Sequence, residues 1–217
     1  MSAPNQQDQP PDPWARPDDR YATRPRWDIG RPQPALLVLA EAGDVRGRVL
    51  DAGCGTGEHT LMAARLGLDA TGIDLAANAL EQSDEKARQR GLKARFLRHD
   101  GRRLAQLGEQ FDTVLDCGLF HIIVRDEEDR TAYLDGLRSV VPPGGRYFML
   151  CFRDGEPGHR EPGHRGPRRL TREDIEAAFA QGWRIDAVEP TTLDSLTDPE
   201  GEPAWLVSAT RVEAAGR

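Results

Sequence analysis

The chain has 217 residues, a hydrophobic share of 38% and a formal net charge of −7. That length suits a single domain with a sizeable core, and the acidic balance argues against a nucleic-acid-binding surface. Cys54, Cys117 and Cys151 form no Cys-x-x-Cys pair, which speaks against a cysteine-rich zinc site or a disulfide framework. The first residues carry no charged leader with an apolar core behind it, and no apolar run reaches membrane-spanning length. A cytoplasmic protein with no membrane attachment is therefore expected. Lys86 and Lys93 are the two lysines among 29 basic residues, an Arg bias that suggests a GC-rich bacterial genome.

Residues 1–25 place Pro4, Pro10, Pro11, Pro13, Pro17 and Pro25 among Gln, Asp and Arg. Such a stretch buries too little apolar surface to offset ordering entropy, so it is expected to be a flexible segment before a domain of residues 26–217. Trp14 and Tyr21 are its exceptions, with side chains suited to docking. Pro34 then opens a helix that Gly43 closes. Apolar strands are predicted at Arg48–Asp51, Asp69–Ile73, Ala94–Arg98, Phe111–Cys117 and Tyr147–Phe152. Helices are predicted between them, at Glu58–Leu66, Ala76–Arg90 and Asp126–Val140, the last with Tyr133, Leu134, Leu137 and Val140 at helical spacing.

After Phe152 comes a polar, Gly- and Pro-rich stretch, residues 153–169, containing a tandem Glu-Pro-Gly-His-Arg. A loop of this kind is expected to be a lid or a flexible insertion. Its His159 and His164 are better explained by duplication than by a metal site, and no metal is expected. Arg160, Arg165, Arg168, Arg169 and Arg172 form either a solvated basic face or an anion-attracting lid. Thr171 and Asp174 resemble a capping box, and strands at Trp183–Val188 and Ala204–Thr210 follow without an intervening helix. The whole reads as an α/β, Rossmann-like, seven-stranded and mostly parallel sheet with helices on both faces.

Within this pattern Val49–Gly57, Val-Leu-Asp-Ala-Gly-Cys-Gly-Thr-Gly, is a strand feeding a glycine turn and a helix N-terminus, the arrangement that presents backbone to a nucleoside cofactor. The dinucleotide fingerprint needs its third glycine three residues after Gly55, where Glu58 stands instead. A carboxylate there opposes a pyrophosphate. Asp51 before the turn suits a cation, and Asp74 at the end of the second strand suits ribose hydroxyls. Asp100, ending the third strand, lies within reach of an adenine amino group. A phosphate-free nucleoside with a positive centre is S-adenosylmethionine, whose product is S-adenosylhomocysteine.

Val49–Gly57, Asp74, Asp100, Phe111–Gly118 and Val141-Pro-Pro-Gly-Gly together resemble the successive motifs of the class I S-adenosylmethionine-dependent methyltransferases. The resemblance implies sheet order 3-2-1-4-5-7-6 with an antiparallel last strand. It also implies cofactor contacts from Asp51, Gly53, Cys54, Gly55, Asp74, Leu75, Asp100, Gly101, Asp116 and Cys117. Trp27-Asp-x-Gly30-Arg-x-x-Pro34 is similar to the thiopurine and halide/thiol methyltransferase group, in which this segment closes over the cofactor, implying roles for Trp27 and Gly30. Trp27 read alone is equally a core-anchoring aromatic.

His121, after the fourth strand, is the candidate general base, with Asp116 as a second catalytic candidate suited to orienting the site. The alternative for His121 is a helix-start histidine bonded to backbone. Cys54 and Cys117 read as small buried side chains, not nucleophiles. The expected function is methyl transfer to a small-molecule acceptor, a thiol sulfur of a secondary metabolite, with O- or N-methylation next. A non-catalytic S-adenosylmethionine-binding protein is the rival from another class. No nucleic-acid partner is expected, and the chain is expected to be a monomer or homodimer.

Overall fold

The computed structural model describes residues 14–154 and 168–213. Helix α1 (Pro34–Glu41) precedes strand β1 (Arg48–Ala52), and the chain then alternates through α2 (Glu58–Arg65), β2 (Asp69–Asp74), α3 (Ala77–Arg90) and β3 (Arg95–Arg98). A 3-10 turn, Gly101–Leu107, leads to β4 (Thr113–Cys117), the one-turn α4 (Phe120–Ile123), α5 (Glu127–Val140) and β5 (Arg146–Phe152). Helix α6 (Arg172–Ala178) and the strands β6 (Trp183–Leu193) and β7 (Glu202–Arg211) complete it.

All seven strands form one sheet in the order β3-β2-β1-β4-β5-β7-β6. β7 runs antiparallel to both β5 and β6, while the pairs among the first five strands are parallel. The expected order and hairpin are present. Period-two alternation divides each central strand between two buried faces. Val49, Leu115, Phe148 and Leu150 pack with Leu36 and Met62 on one side. Leu50, Val114, Tyr147 and Met149 pack with Tyr133, Leu137 and Phe179 on the other. Each such side chain contributes about 1.5–3 kcal/mol by leaving water.

Local chemistry ends the helices where the sequence places the signals. Asp126 caps α5 by accepting from Asp129 N at 2.9 Å, and Thr171 and Asp174 form a reciprocal capping box on α6. Strand β6 runs past the expected end at Val188 and through Pro190. It is the edge strand, where a missing N–H need not break a ladder.

The packed chain also begins before Arg26, the expected domain boundary. Asp18–Tyr21 forms a 3-10 turn docked on α3, with Asn78 N and Nδ2 donating to Asp18 at 3.1 and 2.8 Å. Trp14 donates from Nε1 to Asp129 at 3.2 Å and lies under the Arg102 guanidinium. Proline-rich composition describes local cohesion only; Asn78, Arg102 and Asp129 supply it from elsewhere. The segment Arg26–Pro34 is in turn tied to the β6–β7 connection. Gln33 and Asp194 exchange two hydrogen bonds of 3.0 and 2.8 Å, and Arg26 pairs with Glu202 at 3.0 Å.

The tandem pentapeptide, with His159, Arg160, His164 and Arg165, lies outside the described residues, and so does most of the expected lid. Its flanking arginines are engaged: Arg168 with Asp174 at 2.9 Å, Arg169 with Glu202 at 3.1 Å and Arg172 with the Val188 carbonyl. Among the described residues no helix is long and apolar enough to cross a membrane.

Candidate active site

Between β1 and β4 the strand order reverses, and parallel sheets bind ligands in the crevice at such a point. A cavity of about 380 Å³ opens there. Gly53, Cys54, Gly55, Asp74, Leu75 and Gly101 line one end of it. Cys117, Leu119, His121, Ile122, Arg125 and Phe152 line the other. Tyr21 and Trp27, from the segment before α1, and Leu193, from the end of β6, close it over.

The turn after β1 depends on glycine conformation. Gly55 has φ +53°, and a Cβ there would lie 2.7 Å from the Tyr21 hydroxyl. Gly57 has φ +83°, and a Cβ would meet Ser83 and Phe96 within 2.9 Å, so the third glycine serves the packing of α2 against its neighbours. Glu58 begins α2, yet its carboxylate is held by Arg90 at 2.8 and 2.9 Å and by Lys86 at 2.9 Å. Burial works to raise its pKa, but these cations outweigh it and hold it low. The expectation that a free Glu58 charge opposes a phosphate is thereby corrected: two cations 28 and 32 positions along the chain compensate it.

Asp51 is 1% exposed. Its Oδ2 accepts from Thr60 N at 3.0 Å and Thr60 Oγ1 at 2.7 Å, while Oδ1 has no partner. Burial raises this carboxyl to about 6 despite the Thr60 bonds. An unsatisfied buried carboxylate oxygen calls for a donor or cation. Asp74 accepts one backbone N–H on each oxygen, from Gly55 and Ala76, both at 2.9 Å. Burial raises its pKa against those N–H groups. Each carboxylate oxygen keeps lone-pair capacity for a further donor.

At the end of β4 the geometry differs from expectation. Asp116 is fully buried; Oδ1 accepts from Leu119 N and Phe120 N, and Oδ2 from the hydroxyls of Tyr133 at 2.7 Å and Tyr147 at 2.9 Å. Burial lifts it to about 6, but four donors occupy it and it does not line the cavity. Its expected catalytic and cofactor-contact roles are corrected to anchoring the turn that carries Leu119. His121 does line the cavity and is 4% exposed. Its Nδ1 accepts the Phe152 N–H at 3.3 Å, and its ring stacks on Phe152 with centroids 4.6 Å apart. Burial, aided by Arg169, lowers its pKa to about 3. A neutral imidazole accepting at Nδ1 carries its proton on Nε2, so His121 in this geometry is a donor toward the cavity and not a base.

Asp100 is also turned away. Both oxygens receive the Arg102 guanidinium, which with the Arg102 N–H outweighs burial and lowers its pKa. It caps the 3-10 turn and leaves the cavity wall to Gly101.

A family model described as a methyltransferase domain matches residues 49–145. The 2-heptyl-1-hydroxyquinolin-4(1H)-one methyltransferase of Mycobacteroides abscessus is 32% identical over 184 residues, covering 81% of this chain and 75% of that protein. The chain belongs to the class I S-adenosylmethionine-dependent methyltransferases. A solved structure concerned with conversion of a disulfide bond into a thioacetal group during echinomycin biosynthesis is 33% identical, with TM-score 0.76 and coverage of 91% of this chain and 89% of the other. Magnesium protoporphyrin IX methyltransferase from Synechocystis PCC 6803 with bound SAH shares the fold at 24% identity, TM-score 0.62, with 81% and 80% of the two chains covered.

In this methyltransferase the cavity brings together Trp27, Gly53, Cys54, Gly55, Asp74, Leu75, Gly101, Cys117 and His121 from the residues expected at the site. Gly30, Asp51, Asp100 and Asp116 do not line it, although Asp51 lies directly before the glycine turn. Sequence reasoning missed Leu119, Arg125, Phe152 and Leu193. Arg125 stands four residues after His121, in the turn after α4, and proximity in sequence was the one available signal. Nothing local marks Phe152 or Leu193, because the sheet order alone brings their strands to the cavity.

Proposed function

We propose that this methyltransferase methylates a small-molecule acceptor at an atom that needs no protein base, a thiol sulfur first of all. The observation carrying this reading is the commitment of both candidate bases after β4. Asp116 is saturated by four donors, and His121 presents an N–H. A thiol ionises near neutral pH by itself, whereas an ordinary hydroxyl needs proton removal. The relative concerned with a disulfide-to-thioacetal conversion supports sulfur.

The residues fit the cofactor. S-adenosylmethionine supplies a methyl group already activated by the sulfonium charge. In our reading the unpartnered Asp51 oxygen attracts the cofactor's ammonium group, Asp74 receives the ribose hydroxyls, and the Gly53–Gly55 backbone lies against the nucleoside. Leu75 and Gly101 flank the base, and Trp27 and Tyr21 exclude water. The chain's own work is then alignment and desolvation, which account for a large share of catalysis when the donor is pre-activated.

A second reading is methylation of an acidic hydroxyl on a heteroaromatic ring, supported by the hydroxyquinolone methyltransferase at 32% identity. Labelled S-adenosylmethionine with paired thiophenols, phenols, anilines and 1-hydroxyquinolones separates these. We expect thiols to be methylated at least about tenfold faster than matched phenols at pH 7.5. Faster transfer to 1-hydroxyquinolones favours the second reading, and tight cofactor binding with no transfer to any acceptor makes the chain a binding protein.

A further inference from the structure

The acceptor end of the cavity contains two donors that the methyl transfer to a neutral thiol does not use. His121 is 96% removed from solvent by its 4% exposure, and its Nε2–H has no acceptor among the described residues. The ring is fixed: its Nδ1 takes the Phe152 N–H and its face lies on Phe152, 8° from parallel. The Cε1–Nε2 edge runs past Gly118, where a Cβ would stand 3.4–3.5 Å away. The Nε2–H is open to the cavity, where a ligand or water supplies its acceptor.

Arg125 lies in the turn that follows α4, two residues past Ile123. It is exposed, lines the same cavity and makes no ion pair or hydrogen bond through its guanidinium among the described residues. The neighbouring cavity arginines differ: Arg26 is held by Glu202 and Arg31 by Asp194. Ile122, Leu119 and Phe152 line the cavity beside His121, while Arg125 is exposed at its mouth.

We infer that the acceptor carries an anionic oxygen, a carboxylate or an ionised ring oxygen, received jointly by the Arg125 guanidinium and the His121 Nε2–H. This inference rests on the small-molecule acceptor reading and adds the acceptor's charge to it. It converts His121 from an agent of proton removal into a positioning group that orients the acceptor, and it gives an acidic protein a local site for an acidic substrate.

The test uses the full chain saturated with S-adenosylhomocysteine, titrated calorimetrically with benzoate and with benzamide, a neutral isostere. We expect benzoate to bind about tenfold or more tightly than benzamide, as one charge-assisted contact predicts. Arg125→Gln should reduce that ratio to near one, and Arg125→Lys should restore most of it. Imidazole ¹⁵N shifts should show Nε2 protonated at pH 7, with the Nε2–H resonance moving on benzoate addition. Equal binding of the two probes, binding of neither, an unchanged ratio in Arg125→Gln, or a protonated Nδ1 each overturns the inference. So does a tenfold loss of S-adenosylhomocysteine affinity in Arg125→Gln with the benzoate ratio kept, which assigns the guanidinium to the cofactor's carboxylate. A parallel assay with 2-mercaptobenzoate and thiophenol separates this inference from the sulfur reading. Benzoate preference without thiol methylation sinks the sulfur reading alone, and equal methylation of both thiols without benzoate preference sinks the charge alone.

Discussion

The two ends of the cavity are built on opposite principles. At the β1–β2 end, acids retain capacity: Asp51, behind the glycine turn, leaves one oxygen without a partner and Asp74, in the cavity wall, takes one N–H on each. At the β4–β5 end, the acid is spent and donors are left over: Asp116 is saturated while His121 Nε2–H and Arg125 face the cavity. In the proposed reading, one end receives a cation bearing hydroxyls and the other an acceptor that brings its own electron density. Unmet hydrogen-bonding capacity at and behind the cavity wall is thus more informative about a ligand than residue type, since both ends contain an aspartate near the end of a strand.

If this division is sound, variants at one end should leave the other unmoved. The largest effect is expected for Asp74→Ala. It should weaken S-adenosylhomocysteine binding about 100-fold by calorimetry, the size of two lost charged hydrogen bonds, while acceptor KM stays within about twofold. Unchanged cofactor affinity would remove Asp74 from the ribose.

His121→Ala should instead leave cofactor affinity in place and cost about 1–3 kcal/mol of stability at pH 7.5, because the buried Phe152 N–H loses its acceptor. The pH dependence has a definite sign. His121 sits at about 3 in the folded protein, against about 6.5 unfolded. Its neutral burial therefore contributes fully above the unfolded value and is lost as pH falls toward the folded one. Urea denaturation should consequently show the gap between wild type and His121→Ala narrowing from pH 7.5 to 4.5. A gap that widens contradicts the buried neutral ring.

Asp51 tests the cationic end by the opposite sign. Its carboxyl is raised to about 6, and a bound ammonium favours the ionised form. S-adenosylhomocysteine affinity should rise with pH to about 6 and level off above it. Asp51→Asn should bind about tenfold more weakly at pH 7.5 and show little slope between pH 4.5 and 7. A slope retained by the variant assigns the titration to another group. The smallest effect should come from Trp27→Ala. This ring is 46% exposed and packs edge-on against Tyr21, so a loss of about threefold on both cofactor and acceptor is expected. A change confined to one ligand would place the ring at that end and contradict a cover over the whole cavity.

What was legible in the sequence follows the range of each interaction. The strand–turn–helix of Val49–Gly57, the Asp126 cap and the Thr171–Asp174 box all involve partners within a few residues, so spacing alone encodes them. Glu58 misled for the complementary reason: its type and position at the turn were readable, but Lys86 and Arg90, which neutralise it, come from the far part of α3. The same holds for the N-terminal segment, whose cohesion lies in Asn78 and Asp129 and not in its own prolines.

The sequence by itself determined the strand–helix alternation, the two-faced core and the cofactor turn, because periodicity and glycine placement dictate local backbone, while the sheet order came from the family resemblance its motifs carry. Tertiary structure alone decided which acids and histidines are free to act. Tyr133 and Tyr147 close on Asp116, and the Phe152 N–H closes on His121, across separations of 17 and 31 residues that no local pattern reports. Those pairings set protonation, and protonation turns the apparent base into a donor.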